Sequence, residues 1–376
     1  MRSIRRTLIT LAAMLALVAV LPGTPAQAIL GGHDATQTYA AMTSLQYRDG
    51  PGDTWQHSCG ATLVKPRWVL TAAHCVQGKL ANVLRVVVGS TSAYNGEIRY
   101  VSAIVVHPSH PSSGPYDFAM LQLAGASTKT PMPISTAAFG PGSPVRLLGW
   151  GKTCNVEELR CEPPILQELD TWTVADADCS VAVRYNPTVE WCTQHSLTTG
   201  ANGGDSGGPL LVQSGDSWQL AGVTSRDTAT GVVYGKVDSV QSWIDSTASG
   251  FTLPTCHDFM PIGLTTGADG LYVPVANKVN DPQVACTLRQ TTSSTKNWAV
   301  VGLQRNLNNC YASLLGFARL DEDGLFGSLT DGALRKLQTY LRGYGYPTTV
   351  DGIYDGDEYA YMTFFSGSGC DPLYFG

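Results

Sequence analysis

Apolar positions along this chain fall into three regimes. Leu8 to Leu21 is a single apolar run broken only by Thr10. From Ile29 to about Val237 the apolar residues come instead in short bursts between Gly, Pro and polar turn residues: Thr62-Leu63-Val64, Trp68-Val69-Leu70, Leu84–Val88, Ala119–Leu123 and Val145–Leu148. Many short strands punctuated this way predict a sandwich or barrel. Val240, Trp243 and Ile244 fall at i, i+3 and i+4, so a helix over Ser239–Ser249 is predicted to close the region, with Gly250 ending it. Residues 252–296 are rich in Thr, Pro, Asn and Gly and show little periodicity. Helical spacing returns with Val300, Leu303 and Leu307, then Leu329, Ala333, Leu334, Leu337 and Leu341. Between and after these, Asp323-Gly324-Leu325-Phe326-Gly327 is echoed by Asp351-Gly352-Ile353-Tyr354-Asp355. A repeated glycine turn in so short a segment predicts a compact helical module.

Charge and cysteine content sharpen this division. Arg2, Arg5 and Arg6 precede the first apolar run, and Pro22-Gly23 and Ala26-Gln27-Ala28 follow it. That order is the pattern of a secretory signal over residues 1–28, and the run is short for a bilayer span. An uncleaved membrane anchor is the competing reading. No other stretch is long and apolar enough to span, so a soluble exported protein is expected. The ten cysteines form an even set, consistent with five disulfides in an oxidising compartment. Removing residues 1–28 takes the formal charge from −6 to −9, which argues against a nucleic-acid partner. The expected organisation is a signal (1–28), a β domain (29–250), an irregular extension (251–298) and a helical module (299–376).

Three segments carry candidate chemistry. In Gly204-Asp205-Ser206-Gly207-Gly208-Pro209 a serine stands between glycines, where a tight turn can expose its hydroxyl and let backbone N–H groups converge. A nucleophile needs both: access for a carbonyl, and donors for the oxyanion that develops. Thr71-Ala72-Ala73-His74-Cys75 follows an apolar strand, and Asp117 heads another. Alone, each is as well explained as a solvated or turn residue. Together they give the chain order His, Asp, Ser. Metal ligation has weaker support, because Cys192-Thr193-Gln194-His195 lacks a second ligand pair and no His-Glu-x-x-His segment occurs. No cofactor is expected.

These segments resemble the trypsin/chymotrypsin family of serine endopeptidases. The similarity runs from Ile29 to about Ser249 and includes Cys59–Val64, Trp68–Cys75, Gly149-Trp150-Gly151 and Gly204–Leu210. It implies a double antiparallel β-barrel followed here by the small, mainly helical module. It also implies Ser206 as nucleophile, His74 as general base, Asp117 as the residue that orients His74, and the N–H groups of Gly204 and Ser206 as oxyanion hole. Disulfides Cys59–Cys75 and Cys179–Cys192 are implied likewise, leaving Cys154 and Cys161 to close a less typical local loop. In this family the mature chain begins Ile-Val-Gly-Gly or similar. Its α-ammonium pairs with the Asp before the nucleophile, here Ile29 with Asp205. Because Ala26-Gln27-Ala28 abuts Ile29 with no segment between, signal cleavage itself is expected to activate the enzyme.

The resemblance breaks at the specificity pocket. Trypsins carry an acid six residues before the nucleophile; here Gly200 stands there, beside Thr199. Asn202 replaces a customary cysteine. On the substrate-binding strand Ser225 fits the family, whereas Arg226 and Asp227 do not. Lys/Arg specificity is therefore not supported, and small or apolar side chains before the cut are expected. The C-terminal pattern over about Val301–Phe365 resembles a three-helix peptidoglycan-binding domain, with Asp355 a departure in its second copy. A ligand-free stability domain is the alternative. Cys256, Cys286, Cys310 and Cys370 allow three pairings, of which Cys286–Cys310 and Cys256–Cys370 are expected. The expected function is a secreted, monomeric endopeptidase acting on polypeptides and targeted to cell wall. A wall-binding protein with a weak or inactive protease domain is the rival.

Overall fold

The computed structural model describes residues 29–376 except 50–52, 138–139, 153–161, 180–183, 195, 197, 229–230, 254, 263–270, 276–285, 347, 366–368 and 373–376. Cys154 and Cys161 lie outside the described residues, as does the signal segment.

A two-residue strand, β1 (His33–Asp34), leads in, followed by β2 (Met42–Tyr47), β3 (Gln56–Lys65), β4 (Trp68–Thr71), β5 (Leu84–Val88), β6 (Glu97–Val106) and β7 (Ala119–Leu123). Strands β2 to β7 close into an antiparallel barrel in the order β2-β3-β4-β7-β6-β5. Their apolar bursts explain the closure: Leu45, Leu63, Val69, Leu70, Val86 and Leu121 are fully buried in one continuous core. The register between β4 and β7 pairs Thr71 with Ala119. Residues just after β4 therefore lie beside residues just before β7, which is where His74 and Asp117 stand.

Next come β8 (Pro144–Gly149), β9 (Gln167–Trp172), a one-turn helix α1 (Asp176–Cys179), β10 (Glu190–Gln194), β11 (Pro209–Ser214), β12 (Ser217–Asp227) and β13 (Gly231–Lys236). With β1 they make a second antiparallel sheet ordered β1-β9-β8-β11-β12-β13-β10, an open half-barrel rather than a second closed one. A 3₁₀ turn at Asp238–Val240 and helix α2 (Gln241–Gly250) follow. The buried Val240 and Ile244 account for that helix, as the i, i+4 spacing requires.

The segment read as an irregular extension contains a hairpin, β14 (Asp258–Ile262) with β15 (Leu271–Val275), packed on α3 (Trp298–Asn306). The approach is close enough that a Cβ on Gly302 would sit 2.8 Å from the Cβ of Phe259. After α3 come a wide helical turn (Leu307–Tyr311), α4 (Ala312–Leu315), α5 (Ser328–Gly343), α6 (Gly356–Tyr361) and a last hairpin of β16 (Thr363–Phe365) and β17 (Cys370–Pro372). The buried face of α5 is Thr330, Ala333, Leu334, Leu337 and Leu341; Leu329, though in the predicted apolar set, is 77% exposed on the helix's first turn.

The internal repeat has a physical cause. Gln304 on α3 donates its amide to Asp323 Oδ1 and the Leu325 carbonyl, and accepts from the Gly324 N–H. Gln338 on α5 donates to Asp351 Oδ1 and the Ile353 carbonyl and accepts from the Gly352 N–H. In each unit one buried glutamine satisfies the turn that follows its helix, and the glycine supplies the left-handed backbone (φ +77° at Gly324, +69° at Gly352).

The C-terminal cysteines pair otherwise than expected: Cys256 with Cys286, and Cys310 with Cys370. The Cys256 N–H donates to the Thr287 carbonyl, so the backbone itself brings residues 256 and 286 together. Cys310, in the turn after α3, faces the final hairpin, whose Phe365 N–H donates to Asn306 Oδ1. Sequence spacing could not reveal either approach. The module also seats against the barrel. Arg67, just before β4, bonds Asp357 on α6 at 2.5 Å, and Tyr100 of β6 packs edge-on against Tyr361 at 5.6 Å.

Candidate active site

Ser206 lies in the loop entering β11, and the glycines around it are required by packing. Gly60 of β3 donates its N–H to the Ser206 carbonyl at 2.8 Å, and Gly207 donates to Thr224 at 2.7 Å. A Cβ on Gly60 would fall 2.6 Å from Gly208 Cα, and one on Gly207 would strike the Thr71 hydroxyl. The serine turn thus lies directly on the strand end that leads to His74. Ser206 itself is half-buried. The N–H groups of Gly204 and Ser206 donate to no acceptor among the described residues. Both remain available to an incoming oxyanion.

His74 occupies a 3₁₀ turn (Ala73–Cys75) after β4, held by the Cys59–Cys75 disulfide. Its backbone N–H donates to Asp117 Oδ1 at 2.9 Å and its ring Nδ1 lies 2.7 Å from Asp117 Oδ2. Ser225 Oγ adds a third donor to the same carboxylate at 2.7 Å. Burial alone would raise the Asp117 carboxyl, but the hydrogen bonds from His74 and Ser225 outweigh it and hold the group below the usual carboxylate range. An ionised Asp117 only accepts, so Nδ1 carries the proton and Nε2 is left as the base. No hydrogen bond joins Ser206 Oγ to His74 in this state; such contacts commonly tighten on substrate binding.

Behind the loop, Asp205 is fully buried. Its carboxylate accepts from the Gly151 and Asn202 N–H groups, each at 2.8 Å, and has no ion-pair partner among the described residues. Burial pushes it up to about 7 despite those two donors. Ile29 is also fully buried, and Leu30 exchanges two backbone bonds with Gly200, each 2.9 Å. The Ile29–Leu30 segment is thereby stitched to the loop around Gly200.

His57, two residues before Cys59, was not singled out by its sequence, because it reads as an ordinary polar strand position. Its Nε2 lies 3.1 Å from the Gly204 carbonyl and its Nδ1 2.8 Å from Ser44 Oγ. A carbonyl only accepts, so Nε2 carries the proton and Ser44 donates to Nδ1. Enclosure pushes the ring down to about 4 despite the Gly204 bond, so it is neutral at physiological pH. His57 tethers Gly204, one of the two residues with an unengaged N–H, to the first barrel. Replacing it with alanine is expected to lower kcat about tenfold with KM nearly unchanged, measurable on a small amide substrate. An unchanged kcat would show that Gly204 needs no tether.

The remaining pocket positions are placed as follows. Gly200 has φ +129°, a backbone conformation that L side chains rarely adopt. An acid could not simply be set there. Thr199 is half-buried and exchanges backbone bonds with Ser196. Ser225 turns to Asp117, and Asp227 ends β12 exposed. Arg226 makes a two-pronged ion pair with Glu190 at 2.6 and 3.1 Å, and Glu190 is almost wholly buried. Sequence reading missed Glu190. Cys179 and Cys192 are bonded, and Gly231 passes so close that any side chain there would meet both sulfurs. The grouping Cys59, His74 and Cys75 offers no metal site, since its sulfurs are joined to each other.

A buried acid bonded to a solvent-accessible histidine, beside a serine turn with two unengaged N–H donors, is the geometry of a serine hydrolase of the double-barrel class. The trypsin family pattern matches residues 29–244. Chymotrypsin-like elastase family member 1 of Bos taurus is 32% identical over 248 residues, spanning 60% of this chain and 91% of the relative. The Homo sapiens protein of that name is 33% identical over 252 residues, spanning 60% and 94%. The chain belongs to the trypsin family and is a serine endopeptidase. Its described disulfides fit an oxidising compartment, and no described helix is long and apolar enough to cross a membrane.

Proposed function

We propose that the chain is a secreted endopeptidase in which Ser206 attacks the scissile carbonyl. His74 takes its proton and passes it to the leaving amine, while Asp117 holds the imidazole and stabilises its cation. The N–H groups of Gly204 and Ser206 receive the oxyanion. The observation that carries this reading is the Asp117 carboxylate accepting from both His74 and Ser225 beside two unengaged N–H groups.

Maturation is cleavage after Ala28, which turns the Ile29 amide into an ammonium that pairs with Asp205. The pairing has a clear driving force: a fully buried carboxylate held up near 7 by desolvation gains most from a nearby cation. It also has a pH signature. With residues 1–28 attached, ionising Asp205 costs stability as pH rises from about 4 to 7, whereas neutral His57 costs stability as pH falls from 6.5 to about 4. The two oppose each other. Once the ammonium holds Asp205 ionised, its carboxyl no longer opposes His57 above about pH 4 and adds its own loss of stability only below it. Between pH 7 and 4 the Tm of the processed chain should therefore fall more steeply than that of a chain blocked before Ile29. Parallel Tm curves would contradict the pairing.

Substrate preference follows from Gly200 and from relatives named elastases: small or apolar side chains before the cut. Anilide peptides ending in Ala, Val or Leu should exceed Lys or Arg peptides in kcat/KM by at least about tenfold. Equal or reversed rates would overturn this preference. The C-terminal module, resembling a peptidoglycan-binding domain, would hold the enzyme at cell wall.

A further inference from the structure

Where the extension meets the module, a cleft of about 430 Å³ opens between residues 287–297 and helix α3, a volume suited to one or two sugar-sized groups. Its floor is apolar, made by the buried Leu288, Val300 and Phe326. Its rim carries the cations Arg289 and Lys296, and no carboxylate lines it among the described residues. Arg289 has no partner among the described residues and also borders the adjoining cleft of about 750 Å³ against the barrel. Lys296 lies 4.0 Å over the ring of Trp298, which is half exposed beside the cleft.

The hydroxyls on this rim are committed on one side only. Thr291 Oγ1 accepts from the Ser293 N–H, and Ser293 Oγ accepts from the Thr295 N–H. Neither hydroxyl donates to an acceptor among the described residues. The Asn297 side chain caps α3 through its oxygen and donates to the Cys256 carbonyl. The cleft therefore presents donors and positive charge over an apolar floor. Asp323, whose carboxylate feels the Lys296 charge, is engaged by Gln304 and the Leu325 N–H. In the neighbouring cleft the other cations are neutralised, Lys65 by Asp245 and Arg67 by Asp357.

We propose that this cleft binds an acidic glycan: a hydroxyl-rich chain of N-acetylated sugars bearing carboxylates. Acetyl methyl groups would rest on Val300 and Phe326, sugar oxygens would accept from Thr291 and Ser293, and a carboxylate would bridge Arg289 and Lys296. The proposal rests on the reading of the module as wall-binding and places that activity on the extension as much as on the helices.

The test is co-sedimentation of the full processed chain with insoluble peptidoglycan, with and without teichoic acid removed, and with chitin, the neutral N-acetylated glycan. Arg289→Glu/Lys296→Glu is compared with wild type, with unchanged hydrolysis of a small peptide and unchanged Tm as the folding controls. Wild type should sediment with stripped peptidoglycan and not with chitin, and the double variant should bind at least about tenfold more weakly. Equal binding by the variant would overturn the site while leaving the wall-binding reading standing. Binding to chitin as tight as to peptidoglycan would overturn the role of the carboxylate. Loss of binding when teichoic acid is removed would assign the cations to phosphate instead and overturn the glycan carboxylate. No binding of wild type to any wall preparation would overturn the site together with the reading beneath it.

Discussion

Ser206→Ala should abolish turnover, lowering kcat on the order of 10⁶-fold while leaving KM for a small peptide nearly unchanged. The separation follows from geometry. Through its backbone Ser206 accepts from Gly60 and leaves its N–H unengaged, and alanine preserves both. Only Oγ is lost. The half-buried side chain packs into no core, so the Tm should move by no more than a degree or two. Steady-state kinetics and thermal melts on one preparation check both halves. His74→Ala should be as damaging, and the double variant little worse than either single one, because residues acting as one unit do not add.

Placing a single residue before Ile29 should reduce kcat/KM by about 10²–10³ without touching Ser206, His74 or Asp117. Ile29 is fully buried, and Leu30 is already bonded to Gly200, so this segment has little room to retreat. The extra residue would leave Asp205 with only its two backbone donors, and Gly204–Ser206 without the cation proposed to fix it. Asp205→Asn should have a similar effect from the other side. If both lower activity alone and the combination is no worse, the two act through one contact. Full activity of the extended chain would mean that Asp205 is stabilised in some other way.

The catalytic half of this molecule was largely legible in its sequence, for an identifiable reason. Gly204–Pro209 is tightly constrained, since a side chain on Gly207 would strike the first barrel at Thr71 and Gly60, and one on Gly208 would strike the Asp205 and Leu148 carbonyls. Chemistry and packing there select the same letters. The strand Leu84–Val88 was legible because burial and β-branching coincide, and Ala119–Leu123 because its short apolar run is almost wholly buried. His57 was not, because its function lies in a contact with Gly204, 147 residues away. The same applies to Glu190, whose partner Arg226 is 36 residues distant. The C-terminal disulfides failed for a related reason, being set by a backbone bond at Cys256 and by the seating of the last hairpin on α3. Asp355, a departure in the second repeat, caps α6 through the Asp357 N–H, and Asp357 in turn carries the ion pair to Arg67. That copy of the repeat meets the protease barrel, which a comparison of the two copies alone could not show.

The most direct test of the account is the intact mass of the secreted chain before and after exposure to a fluorophosphonate. It predicts a chain beginning at Ile29 that gains one adduct, with the adduct absent in Ser206→Ala. A chain beginning at Ile29 that gains none would contradict the assignment of Ser206, His74 and Gly204 as a working site. A labelled chain with a different N-terminus would leave the nucleophile standing and overturn activation by cleavage after Ala28.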